Sequence, residues 1–159
     1  MSAFLLSVHV LAAILTVGPV AIAASMFPRF AREALAAPGE KTGTAVRILN
    51  RICRVYAVIG VLVPVFGIAT AASIGVLGDA WLIVSMTLTA IAAVLLIVLI
   101  LPNQARVVRA LDHGEVVGAQ DPGRIARRLG MLTGVFNLLW LTVVVLMVYR
   151  PGSTTGVGL

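Results

Sequence analysis

Apolar residues gather in four runs, at about 4–27, 55–77, 80–101 and 129–149, separated by segments that hold nearly all the charge. Each run meets the roughly 20 residues that a helix needs to cross a hydrocarbon core. None alternates polar with apolar positions as a membrane strand does, and in lipid only helices and closed barrels satisfy their own backbone. The pattern predicts an all-α fold, a bundle of four transmembrane helices forming a single domain over residues 1–150. The segment 151–159 lacks apolar periodicity and is expected to be a disordered tail.

The polar segments set the connections. Leu77-Gly78-Asp79-Ala80 is a tight turn, with Asp79 placed to cap the next helix, so the second and third spans form an antiparallel hairpin. Pro28 and Pro102 each follow an apolar run directly and suit the first turn of a new, short helix. Turn residues then appear at Ala37-Pro38-Gly39-Glu40 and Gln120-Asp121-Pro122-Gly123. Trp81, Tyr56 and Tyr149 fall at span ends, where aromatic belts meet the headgroups. Gly18-Pro19 and Pro64 are expected to interrupt the first two spans as packing kinks.

Charge orients the bundle. Eleven of the twelve basic residues lie between spans one and two or between spans three and four, and Arg150 is the twelfth. The positive-inside rule places both basic connections in the cytoplasm and both termini outside, in a protein integral to the cytoplasmic membrane. Pro28-x-x-Ala31-Arg32 matches Pro102-x-x-Ala105-Arg106 at an offset of 74, and Arg51-Ile52-Cys53-Arg54 matches Arg124-Ile125-Ala126-Arg127 at 73. These matches point to a tandem duplication of a two-helix unit, with parallel repeats about an axis along the membrane normal.

Composition agrees: 60% hydrophobic and 11% charged residues depart far from soluble domains. The net charge of +6 flanks apolar runs, which speaks for membrane topology and against nucleic acid. One cysteine, Cys53, excludes an intrachain disulfide and a cysteine-rich metal site. Ala21-Ile22-Ala23 has the form of a cleavage site, but without a basic start and with so long an apolar run the first helix reads as permanent.

Candidate chemistry is sparse. His9 stands about one turn inside the first span, and an ionisable group at that depth is a functional-site candidate. It reads either as interhelical polar glue, with Ser85, Thr87 or Thr89 as its candidate partners, or as a cofactor or proton site. His113 belongs to the opposite side, so one chain cannot supply bis-histidine ligation, and no metal site is expected. Gly67, Ala71 and Gly75 form a small-residue stripe for a partner helix, and Asn137 reads as an interhelical hydrogen-bonding residue. Arg47, Arg51 and Arg54 recur at helical spacing as a contact for anionic lipids. There is no phosphate loop, His-Glu-x-x-His pair or intramembrane carboxylate, so no catalytic residue is assigned.

Ser7-Val8-His9 through Val17-Gly18, followed by Pro28-Arg29, resembles the first helix of small membrane proteins of the copper-resistance protein D type and of the bacterial membrane protoporphyrinogen oxidase. An uncharacterised four-helix integral membrane family looks similar over nearly the whole chain. The resemblance implies that His9 matches a histidine proposed to bind haem or a metal. Departures include Thr16 in place of a tryptophan and a longer spacing to Pro28-Arg29.

Three functions stay open: a non-catalytic accessory or assembly subunit of a larger membrane complex, a haem- or porphyrin-linked redox protein using His9, and a small-solute or ion carrier. The first is favoured by small-residue stripes, polar glue and thin catalytic equipment. It carries no expected cofactor, with haem b the alternative, and its expected partners are the lipid bilayer, anionic lipids and a second membrane protein or a further copy of the chain.

Overall fold

The computed structural model describes residues 2–37, 39–113 and 122–152, and over these it is a bundle of four long helical rods. The first rod is α1 (Ser2–Ala36), and the second is α2 (Glu40–Ile59) with α3 (Leu62–Ile74). The third is α4 (Ala80–Val94), a π-helical segment (Leu95–Ile100) and α5 (Leu101–His113), and the fourth is α6 (Pro122–Tyr149). Each rod is long and apolar enough to cross a membrane. The expected turn at Gln120-Asp121, the tail beyond Gly152, and Pro38 of the first turn lie outside the described residues.

The rods outrun their apolar cores, because the basic segments continue the helices instead of forming short separate ones. α1 passes through both Pro19 and Pro28, so neither proline ends it. At Pro102 the physical accommodation is visible. A proline ring crowds the carbonyl four residues back and brings no N–H to it. Just ahead of Pro102 the helix widens, the Leu101 N–H reaching back five residues to the Leu96 carbonyl, which is π register. Asn103 Nδ2 then donates to the Leu99 carbonyl at 2.7 Å, supplying a donor where the ladder is disturbed.

The second rod does break, at Gly60-Val61, four residues before Pro64. With no N–H on Pro64, the Gly60 carbonyl accepts instead from Val63 N–H at 3.1 Å, a tighter turn that divides α2 from α3. α3 ends at Gly75, whose φ of 76° is the left-handed conformation that glycine adopts without penalty. Asp79 starts α4 through its backbone, its carbonyl accepting from Leu82 and Ile83. Its carboxylate takes the Trp81 indole N–H at 2.9 Å in place of a helix cap. Trp81 is therefore buried at the end of its span, with the Arg150 guanidinium 5.5 Å from its ring centroid. Tyr56 also turns inward, against the middle of the core.

Packing is densest towards the arginine-rich end. Ala24, Phe27, Ala31 and Ala34 recur every three or four residues on α1, and the small volume of the three alanines lets Val46, Leu49 and Cys53 of α2, Val107 of α5 and Leu129 of α6 close around Phe27. A middle layer joins Val20, Ala92, Leu96, Ile100 and Phe136, and the far end holds Ala71, Val76, Trp81 and Leu82. Large apolar side chains cover the outside of every rod, as a lipid-facing surface requires.

Candidate functional site

His9 projects from α1 onto α3. Its Nδ1 lies 2.9 Å from the Val63 carbonyl oxygen. A carbonyl only accepts, so Nδ1 is the donor, and in the tautomer that this selects Nε2 holds the lone pair. The ring lies on Gly67: a Cβ there would stand 2.9 Å from His9 Cε1 and 3.2 Å from Nδ1. Gly67 is thus the vacancy that admits the imidazole. Ser85, Thr87 and Thr89, the hydroxyls considered as partners, instead donate to the carbonyls of Trp81, Ile83 and Ser85 on their own helix.

Beside the Gly60-Val61 break lies a cavity of about 130 Å³, bounded by residues that include Thr16, Tyr56, Pro64, Thr89, Phe136 and Trp140. Sites that enclose small molecules run to about 300–1,000 Å³, so this space does not enclose a porphyrin. Trp140 Nε1 is buried without a hydrogen-bond partner, as is Asn137 Oδ1 one turn earlier on α6. Asn137 Nδ2 crosses to Ser25 Oγ of α1 at 3.0 Å, the interhelical bond expected of it.

The remaining sequence-derived positions are dispersed. Arg47 pairs with Asp112 of α5, Nη2 to Oδ1 at 2.6 Å, whereas Arg51 and Arg54 are exposed on α2. The small-residue stripe divides by role, with Gly67 under His9, Ala71 buried against Val76, Trp81 and Leu82, and Gly75 closing α3. His113 is exposed at the end of α5. Among the described residues, no three of His, Cys, Asp and Glu gather into a metal-holding group.

One polar cluster escaped the sequence. Asn50 Nδ2 donates to Gln104 Oε1 at 3.3 Å, and Gln104 Nε2 reaches Cys53 Sγ at 3.6 Å, all three buried between α2 and α5. Asn50 and Cys53 share the spacing of Val46 and Leu49 on the buried face of α2, a signal that an amphipathic reading of this segment could have used.

Four membrane-length helices, lipid-ready surfaces and polar side chains bonded across helices define an integral membrane helical bundle. Residues 3–151 match the family described as predicted integral membrane protein (DUF2269), and the chain belongs to that family. No curated protein and no solved structure matches the chain.

Proposed function

We propose that this protein is a non-catalytic accessory or assembly subunit of a larger membrane complex. The observation that carries the reading is the setting of His9. The histidine within the first apolar run gives its N–H to a backbone carbonyl of α3 and lays its ring on Gly67, which supports a role in holding two helices together. The charge distribution supports a position in the cytoplasmic membrane with both termini outside and the arginine-rich end in the cytoplasm. The paired proline-arginine motifs support a duplicated two-helix unit.

A test uses a photocrosslinking side chain at one exposed position on each rod: Leu15, Val58, Val98 or Leu138. In native membranes the expected result is a distinct heteromeric adduct from one or two adjacent faces and lipid adducts from the rest. Adducts confined to lipid or to a second copy at all four positions refute the accessory reading.

The tautomer of His9 favours a second reading. Ligating histidines characteristically donate their other ring N–H to a carbonyl or carboxylate, and the Val63 carbonyl does this here, leaving Nε2 free for one coordination bond. A haem held in this way would supply one-electron transfer, in line with the resemblance of the first helix to haem-linked membrane families. A Soret band at one haem per purified chain, abolished by His9→Ala, establishes this reading in place of the first.

A further inference from the structure

Two arginines of α1, Arg29 and Arg32, and two of α6, Arg124 and Arg127, line a single groove of about 820 Å³ whose walls also include Ser25 and Gly130. Arg29 shares a carboxylate, its Nε 3.0 Å from Glu33 Oε1 in an exposed pair one turn apart. Among the described residues, Arg32, Arg124 and Arg127 have no acidic partner. Like charges brought together this way repel unless an anion lies between them, and guanidinium forks match phosphate oxygens in geometry as well as charge. The groove also receives the positive dipole end of α6.

What lies below the arginines argues for the anion's source. On α1 the stripe that carries Arg29 continues into the apolar run as Met26 and Ile22, and on α6 the stripe of Arg127 continues as Met131 and Val135; all four are exposed. A charged recess opening onto two apolar tracks at the end of a membrane span fits an amphiphile with a phosphate head. We infer that the α1–α6 groove binds one anionic glycerophospholipid, its phosphate among Arg32, Arg124 and Arg127 and its acyl chains along Ile22–Met26 and Met131–Val135.

The test is native mass spectrometry of the detergent-solubilised full chain with phosphatidylglycerol, phosphatidylcholine or inorganic phosphate. The expected result is one retained phosphatidylglycerol per chain, with affinity falling about fivefold for each groove arginine changed to Gln. Arg106→Gln with Arg109→Gln removes two charges from α5, outside the groove, and is expected to leave binding intact. Gly130→Leu fills the groove without altering charge, since a Cβ there meets open space, and is expected to displace the lipid. Helical circular dichroism of the same Gly130→Leu chain, unchanged from the parent, establishes that it is folded. Equal losses from paired groove and α5 charge variants, or retention by a folded Gly130→Leu chain, overturn the site. Displacement of phosphatidylglycerol by millimolar inorganic phosphate assigns the groove to a soluble anion and overturns the lipid.

Discussion

The contact between His9 and Gly67 makes an unusual demand on a mutation that would ordinarily stabilise a helix. Gly→Ala inside a helix contributes about 1 kcal/mol through propensity. At Gly67 the added methyl would stand 2.9 Å from His9 Cε1, so the imidazole must swing away and release the Val63 carbonyl. Interhelical hydrogen bonds in membranes average about 0.6 kcal/mol and reach about 1.7, and forced overpacking costs about 1–3. The losses exceed the gain, and Gly67→Ala is expected to destabilise the bundle by about 1 kcal/mol. In a His9→Ala background the obstruction is gone, and the same substitution is expected to stabilise by about 1 kcal/mol. The sign reversal corresponds to a coupling of about 2 kcal/mol, well above the roughly 0.3–0.5 kcal/mol within which independent sites add. Reversible unfolding of the four proteins of the cycle in mixed micelles measures it. Stabilisation by Gly67→Ala in both backgrounds, with coupling below about 0.5 kcal/mol, refutes the packing argument.

Two further outcomes are expected. Gln104→Ala leaves Asn50 Nδ2 buried without its acceptor and is expected to cost about 1–3 kcal/mol, while Asn50→Leu combined with Gln104→Leu costs less than the two single changes summed; additive losses in a denaturation series contradict the coupling. In a Cys53→Ala background, a cysteine at Gly78 is expected to react with an impermeant thiol reagent on intact cells and one at Arg51 only after permeabilisation; the opposite pattern reverses the orientation proposed from the arginines.

The four rods were legible because the requirement that makes them is local. A bilayer leaves a chain no external hydrogen-bond partners, so any uninterrupted apolar run of sufficient length becomes a helix. The runs at 4–27, 55–77, 80–101 and 129–149 therefore announce themselves. Helix ends followed a different rule. Pro28 and Pro102 read as new starts because proline suits a first turn, yet whether a proline begins a helix or lies within one depends on what surrounds it. Here a widened π turn and the Asn103 side chain accommodate Pro102 within the rod.

The candidate sites divide along the same line. Sequence singled out His9 because an ionisable residue in an apolar run is conspicuous, and Gly67 because small residues at helical spacing are. That the two belong to each other is a matter of register between α1 and α3, fixed by how Phe27, Ala31 and Ala34 seat against α2 and by the break at Gly60-Val61. Trp81 shows the limit most directly, since its place at a span end says nothing of what covers it, and only the return of α6 brings Arg150 over it. Span number and the asymmetry of charge are properties of the chain in order and survive in the sequence alone. Which face of each helix meets which neighbour, and hence the His9–Gly67 contact and the convergence of Arg32 with Arg124 and Arg127, comes from helices distant in sequence packing side by side, which only the tertiary structure decides.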